Sequence, residues 1–123
     1  MRDTMADDGG VLRIVMPATL TPAELHGIAD ALGEVERAAA PIPRRLVDIT
    51  GVARFELGFE EMFAMTQQRR ARRPAYPIRT AVAAATPVQV GFARMFQTLN
   101  DDPLVTIRIF PDADSALAWL KAD

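Results

Sequence analysis

The sequence predicts an α/β domain with a largely parallel sheet. Three observations carry that expectation. The chain has 123 residues, 50% of them hydrophobic and 24% charged, which suits one domain around one core and argues against disorder. Short apolar runs rich in branched residues alternate with segments whose apolar positions recur at helical spacing. The same helix-start grammar occurs twice, at Thr21-Pro22-Ala23-Glu24 and at Thr86-Pro87-Val88-Gln89. Strands that alternate with helices pair in parallel through right-handed crossovers.

Each element has its own local reason. Asp7-Asp8-Gly9-Gly10 is a turn signal, so residues 1–9 read as a flexible arm or a short hairpin strand, and residues 10–123 as a single domain. Val11 to Met16 reads as a strand, closed by Pro17. Thr21 can accept from the backbone and Glu24 can reach back to the cap amide, which starts a helix carrying Leu25, Ile28, Ala29, Leu32 and Val35, stopped before Pro41-Ile42-Pro43. Arg45 to Ile49 reads as a buried strand broken by Thr50-Gly51. A helix is expected from about Gly58, with Glu60 and Glu61 in its first turn, arginines in its last, and Pro74 and Pro77 beyond. Ile78 to Ala85 is a strand with a small-residue centre that lets a helix lie close. The next helix runs from the second start signal to Asn100-Asp101-Asp102-Pro103, with Val88, Phe92, Met95, Phe96 and Leu99 on its apolar face. Val105 to Ile109 alternates as a strand, and Asp112 or Asp114 caps a last helix burying Ala116, Leu117 and Leu120 beside Trp119.

Composition excludes more chemistry than it suggests. The absence of cysteine and the single histidine remove disulfide scaffolds, thiolate metal sites, cysteine nucleophiles and nearly every Ser–His–Asp arrangement. No cofactor and no metal is expected, and no catalytic constellation is visible. His26 lacks companion ligands at helical spacing, and the adjacent Glu60 and Glu61 diverge on a helix. The net charge of −2 gives no global basic field, and the one basic cluster lacks interleaved aromatics, so no nucleic-acid partner is expected. All but one of the 14 basic residues are arginine. The acidic start shows no signal-peptide pattern, and no run approaches the roughly 20 apolar residues of a spanning helix. The expected location is cytoplasmic, with peripheral membrane contact as the alternative.

Three stretches carry a family resemblance. They are Val11-Leu12-Arg13-Ile14 leading to Leu20-Thr21-Pro22-Ala23-Glu24-Leu25; Leu46-Val47-Asp48-Ile49-Thr50-Gly51-Val52; and Arg79-Thr80-Ala81-Val82-Ala83 into Gly91-Phe92-Ala93-Arg94-Met95-Phe96, then Ile107-Arg108-Ile109-Phe110 and Ala116-Leu117-Ala118-Trp119-Leu120. Together they resemble the STAS superfamily, the fold of the sporulation anti-sigma-factor antagonists. The nearest branch in kind is the small stand-alone STAS-like proteins related to CRAL-TRIO lipid-binding domains. The resemblance implies a four- to five-stranded mostly parallel or mixed sheet packed with about four helices, and a binding module in place of an enzyme. In the antagonists a phosphorylatable serine opens the helix after the central strand, usually within Asp-Ser-Ser-Gly. The matching stretch here is Phe55-Glu56-Leu57-Gly58, which keeps the glycine and has no hydroxyl. A serine phosphoswitch does not carry over. Glu56 could supply only about half the charge of a phosphoserine.

The candidate working surface follows from both lines. Asp48 ends a central strand, where open α/β sheets place ligands, although a carboxylate there also suits an Asx turn to the amides at Thr50 to Val52. Phe55, Leu57, Phe59, Met62, Phe63 and Met65 crowd one short helix and its approach, and Phe92, Met95 and Phe96 add a second soft set. They read either as ordinary core or as an adaptable pocket or contact surface. The expected function is a non-catalytic binding or regulatory module. It docks a partner protein or an apolar small ligand through Asp48, Thr50, Phe55, Glu56, Leu57, Phe59, Met62, Phe92, Met95 and Phe96. The alternative is a peripheral lipid-binding protein that meets an anionic membrane through the Phe/Met helix and Arg69, Arg70, Arg72 and Arg73. A homodimer through the same apolar helix is a third outcome.

Overall fold

The computed structural model describes residues 5–8, 10–38, 43–72 and 77–122. Strand and helix alternate as expected: β1 (Met5–Asp8), β2 (Val11–Val15), β3 (Thr19–Leu20), α1 (Pro22–Ala38), β4 (Arg44–Asp48), β5 (Arg54–Phe55), α2 (Phe59–Arg72), β6 (Ile78–Ala83), α3 (Pro87–Leu99), β7 (Val105–Phe110) and α4 (Ala113–Lys121). The main sheet has the order β1-β2-β4-β6-β7; β1 is antiparallel to β2, and every other pair is parallel. Of the arm read as residues 1–9, the described part, Met5–Asp8, pairs with β2 as an antiparallel strand, Asp8 opposite Val11 around Gly10 at φ 85°, a left-handed conformation that favours glycine, and the rest lies outside the described residues. The prolines expected to stop α1 and α2, Pro41 and Pro74, lie outside the described residues.

Strand order follows chain order, so each crossover steps in the same direction. With one hand for all of them, the intervening helices fall on one face. Accordingly α1, α2 and α3 share a core with Leu12, Ile14, Val82 and Ile107, whereas α4 alone packs Ala116 and Leu120 against Val11, Leu46, Ala81 and Ala83 on the opposite face. The period of two along each strand divides the residues between the two cores.

Helix starts follow the local chemistry. The Thr21 hydroxyl accepts from the Glu24 amide at 3.2 Å. Thr86 and Gln89 form the full reciprocal cap of α3. Asp112, not Asp114, caps α4 by accepting from the Ser115 amide at 2.7 Å, and that backbone bond, with a side-chain bond from Ser115, lowers the Asp112 pKa from 3.8. The sequence reading contains no counterpart of β3 and β5, which pair in parallel as Thr19 with Arg54 and Leu20 with Phe55. Two-residue strands are too short to show any period, and only the tertiary approach of the two loops creates them.

Candidate functional site

The site is built on α2. Its inward stripe is Met62, Met65, Thr66 and Arg69, which is i, i+3, i+4, i+7 spacing. Met62 and Met65 are buried, while Phe59 and Phe63 stay 58% and 45% exposed and stack on each other at 5.9 Å. The Phe/Met group therefore divides. Its methionines face the sheet and its two helical phenylalanines face solvent. Phe55 and Leu57 precede the helix, half-buried, and Phe55 stacks on Phe92 at 4.5 Å.

Between this stripe, α1, α3 and the sheet lies a cavity of about 90 Å³. Met62, Met65, Phe92, Phe96, Ile28 and Val82 form much of its apolar wall. Three waters would occupy about the same volume at roughly 30 Å³ each. Ala93 contributes a fully buried methyl, and Thr66, Arg45 and Arg69 make one part of the wall polar.

That polar part is an ion cluster linking three elements. Glu36 of α1 is 8% exposed and Arg45 of β4 is 6% exposed. An Arg45 terminal nitrogen donates to Glu36 Oε2 at 2.6 Å, while Arg69 donates to both Glu36 oxygens at 3.0 and 2.9 Å and to the Ala29 carbonyl at 3.4 Å. Buried charges require this degree of pairing, because each loses its hydration on folding. The cluster closes the cavity toward a groove of about 560 Å³ between α1 and α2, and Ala29 and Arg69 belong to the walls of both spaces.

The remaining expected residues sit elsewhere. Asp48 makes the Asx turn: its Oδ1 accepts from the Thr50 amide at 2.9 Å and the Thr50 hydroxyl at 2.6 Å, and its Oδ2 faces Arg13 at 3.6 Å. Asp48 shares the register of Leu46 on the α4 face, and neither Asp48 nor Thr50 lines the cavity. Glu56 is exposed and pairs with exposed Arg54 at 3.0 Å, a contact of little energetic weight. Met95 packs half-buried against the helix-side core. Gln89 holds the loop after β4, donating to the Thr50 and Val52 carbonyls at 3.0 Å each while its carbonyl accepts from Ala85 and Thr86. Arg69 does not face outward with a membrane-binding row, because Glu36 draws its guanidinium inward. Arg70 and Arg72 lie in α2, and Arg73 is outside the described residues.

Sequence reasoning missed Glu36 and Arg45, although a signal was available. Glu36 follows Leu25, Ile28 and Leu32 on the buried stripe of α1, and Arg45 shares the inward register of Val47. Charged residues placed on three buried stripes at once require partners in one another.

Among the described residues there is no group of three or more side chains suited to a metal ion, and no helix is long and apolar enough to cross a membrane. No protein-family model matches the chain, and no curated protein matches it at a significant level.

Proposed function

We propose that this is a non-catalytic, STAS-like binding module that takes a small apolar molecule into the cavity beneath α2. The observation that carries the reading is the cavity itself. Met62, Met65, Phe92 and Phe96 line it together, and walls of thioethers and rings adapt to a guest at small cost. The family part of the reading draws on the chain-ordered parallel sheet with its hairpin arm and on the resemblance of the three sequence stretches. Its chemistry is reversible occupancy, since no carboxylate lines the cavity among the described residues and the two arginines on its wall, Arg45 and Arg69, are both bonded to Glu36. Xenon tests the reading. Under rising xenon pressure the ε-methyl resonances of Met62 and Met65 are expected to shift saturably. Unchanged Met62 and Met65 resonances in the folded protein would refute it.

A second reading, contact with a protein or an anionic membrane through the outside of α2, draws on the exposed Phe59–Phe63 stack. It expects salt-sensitive cosedimentation with anionic liposomes, or a concentration-dependent mass by light scattering, either one lost in F59S/F63S. A monomer that stays in the supernatant under both conditions eliminates the membrane and homodimer versions.

A further inference from the structure

The cavity reading leaves open what kind of molecule fits, and the polar part of the wall narrows the choice. Thr66 is 2% exposed, contributes to the cavity wall, and its hydroxyl has no hydrogen-bond partner among the described residues. A buried hydroxyl left without a partner is costly, and one facing open space can bind a guest that supplies the missing bond. The same wall is unfavourable to charge of either sign. An anion would have to displace Glu36, which does not itself line the cavity, from the guanidiniums of Arg45 and Arg69, whose nitrogens already stand 2.6–3.0 Å from its oxygens. An ammonium would meet those same two guanidiniums. The groove outside gives no bias toward anions either, since Asp30, Glu34 and Glu36 stand there against Arg37 and Arg69.

Resting on the cavity reading above, we infer that the ligand is an uncharged amphiphile with a compact branched hydrocarbon body and a single hydroxyl or carbonyl group, which exchanges a hydrogen bond with Thr66. The body lies between Met62, Met65 and Phe96, and the polar group lies at the cluster end. A cavity of about 90 Å³ is smaller than the roughly 150 Å³ that an apolar protein cavity uses to hold benzene, so the body is of about five heavy atoms unless the methionines yield. Ala29 and Arg69 are shared by cavity and groove, so a molecule passing between the two would have to pass them.

A matched set of probes tests the inference. Isobutanol, 2-methylbutane, isobutylammonium and isobutyrate share one branched body and differ at its end. Binding is read from the Met62 and Met65 methyl resonances in the wild-type chain and in Thr66→Val, which keeps the side-chain shape, with circular dichroism confirming that the variant is folded. Isobutanol is expected to bind the wild type most tightly of the four and to lose about tenfold in affinity in Thr66→Val, the loss of one neutral hydrogen bond. The hydrocarbon is expected to bind the variant at least as well as the wild type. If alcohol and hydrocarbon bind equally in both proteins, the cavity is a binding site and the assignment of the polar group is wrong. Tighter binding of either charged probe overturns the assignment as well. If none of the four binds and xenon also has no effect, the cavity reading itself fails.

Discussion

The two faces of the sheet solve the same packing problem in opposite ways. On the α4 face small residues meet small residues. Ala81, Ala83 and Ala116 are fully buried, and Leu120 fills the remaining space. Arg44 and Arg79 donate to carbonyls at the end of α4, Arg44 to those of Leu120 and Ala122 and Arg79 to those of Trp119 and Ala122, while Arg79 and Arg108 lie over the Trp119 ring at 4.8 and 5.5 Å. Cations at a helix C-terminus and over an indole both favour a fixed position. On the three-helix face the side chains are larger and softer, a void remains, and charges enter the interior. One face is a close-packed joint, and the other is a container with a charged latch. The same residue change should therefore have different effects on the two sides.

The largest effect is expected at the latch. Glu36→Leu leaves Arg45 and Arg69 without their shared carboxylate, and removing one partner of a buried ion cluster costs about 3–5 kcal/mol. Urea unfolding would measure it, and a loss below about 1 kcal/mol would mean that the latch does not hold α1, β4 and α2 together. The comparison itself is sharpened by two fully buried helical alanines, Ala116 on the close-packed face and Ala93 on the cavity wall. Ala116→Val is expected to destabilise by about 1–3 kcal/mol through overpacking, and Ala93→Val by less than half as much, since its added methyls enter open space. Equal losses in thermal or urea unfolding would erase the distinction between the faces. The smallest effect is at the start of α4. The Asp112 pKa is lower in the folded chain than in the unfolded one, so its capping contribution is fully present above the unfolded value near 4 and is lost as pH falls through the lower folded value. Protection of the Ser115 amide against exchange, taken relative to its intrinsic rate at each pH, is expected to fall below about pH 4, and Asp112→Ala to remove that pH dependence of the protection.

Much of the architecture was legible in the sequence because it is written in local rules. Thr86 and Gln89 announce their helix within four residues, and the β2, β4, β6 and β7 runs alternate or stay apolar over enough positions to show their period. The site was legible only in part. Hydrophobicity marks Phe59 and Phe63 as readily as Met62 and Met65, yet the first two face solvent and the inward stripe ends in Thr66 and Arg69. An inward arginine is stable only if a carboxylate 33 positions earlier reaches the same spot, and no local pattern reports that distance. Asp48 shows the converse. Its Asx turn is a local event, and the sequence contained the bond from the Thr50 amide, although the Val52 amide donates instead to the Ile49 carbonyl.

A sheet that adds every strand on the same side never closes on itself. Among the described residues β7 pairs with β6 alone, so it is an edge strand, a rim at which another chain could add, with Gln97 donating to one of its carbonyls, that of Ile107, at 2.8 Å. The sequence limits that hazard by brevity and by its neighbours. β7 spans six residues between Pro103 and Pro111, and Thr106 and Arg108 are exposed along it. Fibrous self-association through this rim is thereby confined to a short segment carrying a charge, and Arg108, already drawn toward Trp119, doubles as its gatekeeper.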